Sequence, residues 1–151
     1  MTFTIANLAD SLATHLATVL PGVTFYEDPN QQGTKCPCAF IQLISSEVAL
    51  RRQKYLLRTL RLDLTYLEDY NLPDLQRRYQ AVSEVLDLNM ETFAYTDGDD
   101  SAIMRTKNRQ AQIDLDGLHY KFDMDVWLSP AEDAALMRTL ELEMEVTYGE
   151  G

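Results

Sequence analysis

The strongest constraint on the fold is a strict alternation of apolar and polar residues between Leu56 and Tyr66. Four apolar side chains fall on one side of an extended chain: Leu60, Leu62, Leu64 and Tyr66. Three polar side chains fall on the other side: Arg61, Asp63 and Thr65. A two-residue period is typical of a strand with one buried face. The stretch therefore predicts a central sheet strand, and no catalytic motif accompanies it.

Several other segments predict strands and hairpins. Ala39–Glu47 and Tyr55–Leu67 are expected to pair as one hairpin. Arg109–Leu115 and Leu118–Leu128 are expected to pair as another, because Asp116-Gly117 between them is a favoured two-residue turn. Shorter strands are predicted at Val23–Tyr26 and Met90–Tyr95, with a turn at Asp97–Asp100. A helical turn at Ala131–Met137 and an alternating segment at Leu140–Tyr148 complete the chain.

Two segments have the apolar spacing of amphipathic helices. The first follows Thr4, a good N-cap, and ends at Pro21-Gly22. Its apolar stripe is Ile5, Leu8, Leu12, Leu16 and Val19. The second starts after Leu72-Pro73-Asp74, and its predicted core face is Leu75, Tyr79, Val82, Val85 and Leu86.

These elements predict an α+β fold, with a mainly antiparallel sheet of about six strands and two helices packed on one face. The 151 residues show no linker or repeat, so a single domain over residues 1–151 is expected. The formal net charge of −11 argues against nucleic acid or an anionic membrane as the main partner of the whole surface. No signal peptide is apparent, and the apolar runs are too short to span a bilayer.

The sequence offers only weak candidates for a disulfide or a metal site. Cys36 and Cys38 are separated by one proline, which is poor geometry for a mutual disulfide, so free thiols in a reducing compartment are expected. Their spacing, with only His15 and His119 to help, does not match a zinc site. We therefore predict no metal, no cofactor and no catalytic residues.

One alternative remains open from the residues alone, namely a small α+β enzyme or ligand-binding domain. Asp123 and Asp125 share a strand face and would lie roughly 6.5–7 Å apart, a separation that suits an inverting carboxylate pair. His119 shares that face. Charges on the outward face of a hairpin are more commonly just solvated.

The distribution of charge is more informative. A basic group crowds the hairpin that follows Ala39: Arg51, Arg52, Lys54, Arg58 and Arg61. A second basic group is Arg105, Lys107 and Arg109, whereas the last stretch is acidic, with Glu132, Asp133, Glu141, Glu143, Glu145 and Glu150. Such separation suits head-to-tail packing of identical copies, although solvated faces explain it equally well. Trp127, on a polar face, is a second candidate partner contact.

The order of these pieces resembles the tail terminator proteins of long-tailed phages and prophages, especially the contractile-tailed phages of Gram-positive bacteria. The resemblance is carried by residues 21–28 ("PGVTFYED"), 35–41 ("KCPCAFI"), 58–69 ("RTLRLDLTYLED"), 113–128 ("IDLDGLHYKFDMDVWL") and 137–145 ("MRTLELEME"). Their order and spacing over nearly the whole chain matter more than any one of them. Head-completion and connector proteins of the neck have similar sizes and folds and remain an alternative.

The resemblance implies a structural protein without catalytic residues. The family forms a hexameric ring that caps the tail tube, stops its polymerisation and offers a docking surface to the neck of the head. The implied partners are other copies of the chain, the tail tube protein and a neck or connector protein, with DNA only passing through the ring and no membrane involved. The expected location is the virion tail, after assembly in the host cytoplasm. Arg51, Arg52, Lys54, Arg58 and Trp127 are the expected interface or lumen residues.

Overall fold

The computed structural model describes residues 3–26, 35–51 and 55–128, and these residues form an α+β fold. The fold class predicted from the sequence is thereby confirmed. The helices and strands follow in the order α1 Ile5–Val19, β1 Thr24–Tyr26, β2 Cys38–Arg51, β3 Tyr55–Leu67, α2 Leu75–Asn89, β4 Thr92–Asp97, β5 Asp100–Arg105, β6 Lys107–Asp114 and β7 Gly117–Leu128.

Five of the strands form one sheet in the order β1-β2-β3-β7-β6, and β4 pairs with β5 in a separate two-stranded sheet. The described pairings are antiparallel except for the short pairing of β1 with β2. The mainly antiparallel character is therefore as expected, but the strands divide between two sheets instead of forming one. The predicted turn at Asp97–Asp100 joins β4 to β5, and β5 is a strand that the sequence pattern did not single out.

The alternating stretch is the middle strand, β3, with β2 and β7 on either side. Leu60, Leu62 and Leu64 are almost fully buried. Their cross-strand partners on β7 are buried as well: Met124, Phe122 and Tyr120. Burial of each such side chain stabilises the folded state by about 1.5–3 kcal/mol relative to leaving it exposed. The predicted apolar faces of β3 and β7 are thus the sheet's contribution to the core.

The first helix begins where predicted, since Thr4 Oγ1 accepts a hydrogen bond from the Asn7 backbone N–H at 3.1 Å. Its stripe of Leu8, Leu12 and Leu16 is buried in the same core as the sheet leucines. The helix also packs on the smaller sheet, because the Ser11 hydroxyl accepts a bond from the Thr96 backbone N–H at 3.0 Å.

The second helix covers the core less completely. Tyr79 and Leu86 are buried, whereas Leu75, Val82 and Val85 are only partly covered. The buried tyrosine also has a polar role, because its hydroxyl accepts a hydrogen bond from the Glu68 backbone N–H at 3.1 Å. The helix therefore turns the predicted face toward the core, and Tyr79 and Leu86 are the residues of that face that are buried.

The hairpin of β6 and β7 turns one residue earlier than the sequence predicted. Asp114 pairs with Gly117, so the two turn residues are Leu115 and Asp116, and Gly117 is the first residue of β7. A Cβ atom on Gly117 would lie 2.4 Å from Leu67 Cδ2 and 2.9 Å from Tyr66 O. The glycine is required because β7 passes this closely beside β3.

Some sequence predictions fall outside the described residues. These are the helical turn at Ala131–Met137, the alternating segment at Leu140–Tyr148, and residues Arg52 and Lys54 at the tip of the first hairpin. Within the part of the chain that is described, no helix is both long enough and apolar enough to cross a membrane.

Candidate functional site

Arg58 and Arg61, the two basic residues of the first hairpin whose side chains are described, lie on opposite faces of the sheet. Arg61 lies on the outer face of β3, where its Nη1 is 3.6 Å from Asp123 Oδ1. Arg58 lies on the opposite face, beside Val48 on β2 and Val126 on β7. Its Nε is buried without a hydrogen-bond partner. The backbone of Arg51 ends β2, and its side chain, like Arg52 and Lys54, is outside the described residues.

The second basic group is held by local contacts. Arg105 Nη1 lies 3.8 Å from Glu91 Oε1, and Arg109 Nη1 donates to the Asp87 carbonyl at 2.9 Å. Lys107 Nζ donates to Asp125 Oδ2. Each of these three cations thus has an acceptor within the same chain.

The two aspartates considered for catalysis lie on the outer face of β7, as predicted, and both are engaged. Asp123 contacts Arg61 and accepts a hydrogen bond from Asn108 Nδ2 at 3.0 Å. Asp125 borders a shallow groove of about 420 Å³. Burial alone would raise the pKa of Asp125, but hydrogen bonds from Lys107 and Thr59 hold that pKa below its ordinary value. A general acid needs the opposite shift.

The predicted contact residue Trp127 is 55% exposed. It lies directly across from Leu57 on β3, which lies across from Ala49 on β2. These three apolar side chains form a row over three strands on a face that is otherwise polar. A partly exposed tryptophan in such a row is typical of an anchor in a protein–protein contact.

A larger exposed apolar group lies on β2. Leu43, Ile44 and Val48 are 40%, 49% and 48% exposed, whereas Cys38 and Phe40 at the start of the same strand are buried. The register of β2 against β3 shifts between Leu43 and Ser45, so Ile44 is the extra residue of a β-bulge. Sequence reasoning missed this group, although the adjacent apolar pair Leu43-Ile44 breaks the alternation and was the available signal.

The same part of β2 has a free edge. Its pairing with β1 involves only Cys38, Ala39 and Phe40. From Ile41 to Arg51, no described strand lies on the side of β2 away from β3. Unpaired backbone N–H and C=O groups on a long edge strand are available to another chain.

A comparison with protein families decides what kind of protein carries these features. A model described as "Phage tail terminator protein" matches residues 7–135, which is most of the chain. The chain belongs to the phage tail terminator family. The resemblance inferred from the order of sequence segments is confirmed at that level, and it assigns a structural role in the phage tail and a place in the virion tail. A comparison with curated proteins found no match.

The remaining polar residues of this tail terminator include candidates that the sequence analysis dismissed. Cys36 and Cys38 are free thiols, the first exposed and the second buried. Burial, with a smaller effect of Cys36, raises the pKa of Cys38 to about 12, so its thiol is protonated at neutral pH and is a poor metal ligand. His15 Nε2 lies 2.7 Å from the Asn89 carbonyl oxygen, which links α1 to the end of α2.

His119 has a different environment. Its Nδ1 lies 3.1 Å from Asp63 Oδ2, and its Nε2 lies 3.8 Å from carboxylate oxygens of both Asp114 and Asp116. Strand alternation put His119 on the outer face correctly. The sequence did not reveal the three neighbouring carboxylates, because Asp63 comes from β3 and only the cross-strand register brings it alongside.

Proposed function

We propose that this tail terminator assembles as a hexameric ring on the last ring of the tail tube. The ring stops tube polymerisation and presents a surface on which the neck of the DNA-filled head docks. DNA passes through its central hole. The match to the tail terminator family over residues 7–135 carries this proposal, and the described surface supports it.

The first support is the uncovered part of β2. A free edge and three exposed apolar side chains occur on the same strand, at Leu43, Ile44 and Val48. Exposed long edge strands are usually blunted or covered in soluble proteins. We infer that a neighbouring copy covers this strand in the ring.

The second support is Trp127, which lies near Val48 at the same end of the sheet but on its opposite face. A tryptophan side chain buries up to roughly 250 Å², so a 55% exposed Trp127 still has ~140 Å² to bury. At about 25 cal/mol/Å², full burial in a subunit contact contributes at most about 3.5 kcal/mol. That value is within the range of interface hot spots.

The basic tip of the hairpin supplies the third part of the proposal. Arg51, Arg52 and Lys54, with Arg58 behind them, lie in the interface or line the lumen of the ring. In an interface, they face the acidic last stretch of the neighbouring copy, which gives a heterologous contact that can close into a ring. In the lumen, they face the DNA phosphates during passage.

We propose no enzymatic activity for this protein. The two aspartates considered for catalysis are each paired with a cation, Asp123 with Arg61 and Asp125 with Lys107. Such pairing stabilises a sheet face. It leaves neither carboxylate in the environment of a general acid.

Native mass spectrometry over a wide range of protein concentrations, with negative-stain imaging of large species, tests the ring. The parent protein should give six-subunit rings with a central hole. Trp127→Ala and Val48→Glu should each lower the ring population sharply. A loss of about 3 kcal/mol per contact corresponds to more than 100-fold in affinity.

Leu115→Ser is the matched control, because Leu115 is 98% exposed and lies at the opposite end of β7 from Trp127. Its rings should be unchanged. Equal loss of rings in the control and in the two test variants would remove the proposed contact surface. Rings of another subunit number would favour a connector role instead.

The basic tip is tested separately with the double variant Arg51→Glu, Arg52→Glu. In the interface, reversal of both charges should prevent ring formation while the far-ultraviolet circular dichroism stays that of the parent. In the lumen, rings should form but pass or hold DNA less well. Unchanged assembly and unchanged DNA passage would remove these residues from the proposal.

A further inference from the structure

Three electron-rich atoms converge at the end of the five-stranded sheet that is farthest from Trp127. His119 Nε2 lies 3.8 Å from Asp114 Oδ2 and 3.8 Å from Asp116 Oδ1. All three ligand atoms lie within 4.8 Å of one another. The two aspartates flank Leu115 in the β6–β7 turn, and His119 is the third residue of β7.

The orientation of the imidazole is set from the other side of the ring. His119 Nδ1 lies 3.1 Å from Asp63 Oδ2 and 3.3 Å from Thr65 Oγ1. A carboxylate only accepts hydrogen bonds, so Nδ1 carries the hydrogen. When the ring is neutral, Nε2 presents its lone pair toward the two carboxylates, and either a proton on Nε2 or a bound cation supplies the positive charge that holds the three groups together. A carboxylate behind a histidine of this kind is the usual support of a metal-binding imidazole.

Asp63, which is bonded to the same imidazole, adds a buried carboxylate to this cluster. It is only 7% exposed, although it lies on the outer face of the sheet. One of its oxygens is bonded to His119, and the other, Oδ1, is buried without a hydrogen-bond partner. A buried carboxylate with one unsatisfied oxygen is costly unless a nearby positive charge compensates it. A cation bound at Nε2 would polarise the ring and strengthen its bond to Asp63.

The turn can adjust to a metal ion. The side chains of Asp114 and Asp116 are 44% and 77% exposed, so an ion can reach both carboxylates from solvent. Gln112 Nε2 donates to Asp114 Oδ1 at 3.3 Å and so steadies that carboxylate. Ligand atoms on a tetrahedral zinc ion lie roughly 3.4 Å apart. Each aspartate oxygen must therefore approach Nε2 by a few tenths of an ångström, and the two aspartate oxygens, which lie within 4.8 Å of one another, must approach each other by up to about 1.4 Å.

We propose that Asp114, Asp116 and His119 bind one divalent transition-metal ion, with Zn²⁺ the best match to one imidazole and two carboxylates. Asp63 is a positioning residue that holds the imidazole. Water completes the coordination. The ion ties the β6–β7 turn to His119, whose imidazole is in turn bonded to Asp63 on β3, and this role is independent of ring assembly.

Isothermal titration of chelator-treated full-length protein with Zn²⁺ tests the proposal. One ion should bind per chain. The double variant Asp114→Asn, Asp116→Asn should weaken binding at least tenfold, and Asp63→Asn should weaken it by about 10–100-fold. Circular dichroism should show an unchanged fold in the double variant, because both side chains are exposed.

His15→Ala is the matched control, since His15 lies on α1 and makes its contact to the Asn89 carbonyl; its zinc binding should equal that of the parent. Cobalt in place of zinc should give the visible absorption of nitrogen and oxygen coordination, without a thiolate band. Absence of saturable zinc binding would overturn the proposal. Binding that survives in the double aspartate variant, or that is lost in Cys36→Ser, would overturn it as well.

Discussion

Gly117→Ala should destabilise the protein because the added methyl group would overpack the space between β7 and the end of β3. The new Cβ would lie 2.4 Å from Leu67 Cδ2 and 2.9 Å from Tyr66 O. The leucine side chain can rotate away, but the Tyr66 carbonyl belongs to β3. Moving it disturbs the pairing of Tyr66 with Leu118 at the end of the β3–β7 ladder.

Overpacking of this kind costs about 1–3 kcal/mol. Gly98→Ala is the matched comparison, because Gly98 also has a positive φ, 62°, but a Cβ added there would meet no atom within 4 Å beyond its chain neighbours. The second variant should therefore lose only the backbone preference for glycine, about 1 kcal/mol. Gly117→Ala should lose its overpacking cost in addition to any backbone cost.

Urea denaturation of both variants and the parent, followed by tryptophan fluorescence and circular dichroism, gives the free energies of unfolding. Equal dependence on urea concentration in all three proteins is needed for a direct comparison. A Gly117→Ala protein as stable as Gly98→Ala would refute the close approach of β7 to β3.

Three further predictions concern the core and the outer face. Leu60→Ala should lower the free energy of unfolding by about 2–5 kcal/mol, because Leu60 is fully buried; a loss below about 1 kcal/mol in urea denaturation would contradict its central place. Tyr120→Phe removes the hydrogen bond from the Tyr120 hydroxyl to Asp87 Oδ1, 2.7 Å long, and should cost about 1.5–3 kcal/mol; an unchanged unfolding midpoint would show that the bond is not formed. Asp125 has a folded-state pKa below its ordinary value, because the combined effect of Lys107 and Thr59 outweighs that of burial. Its contribution to stability is therefore present above the unfolded pKa of about 3.9 and is lost as the pH falls through the folded pKa. The difference in unfolding free energy between the parent and Asp125→Asn should therefore shrink with acidification below about pH 4, and a difference that grows would reverse the sign of the pKa shift.

Local pattern predicted most of the fold. A two-residue period located β3 and β7, helical spacing located α1 and α2, and Thr4 marked the start of the first helix correctly. These features depend on neighbours in sequence, which is why the residues alone reveal them. β5 was missed because its alternation is short and mostly exposed. The turn at Leu115-Asp116 was misplaced by one residue because the close approach of β3 decides the position of Gly117.

The surface was less predictable. The two-residue period already implied that Arg58 and Arg61 face opposite ways, since three positions separate them, whereas the role of the basic residues at the hairpin tip stays a prediction. Trp127 was assigned to the correct face, and its exposure agrees with a contact role without testing it. The environment of His119 depends on the register of β3 against β7, and the free edge of β2 depends on how short its pairing with β1 is. Neither can be predicted from residues that are neighbours in sequence.

The capping of tail tubes tests the proposed function most directly. Purified tail tube protein is allowed to polymerise with and without this protein, and tube lengths and tube ends are recorded by negative-stain electron microscopy with an antibody or gold label on the terminator. We expect shorter tubes with a single six-fold ring labelled at one end. Tubes of unchanged length, with no label at their ends, would contradict the proposal that this protein terminates the tail.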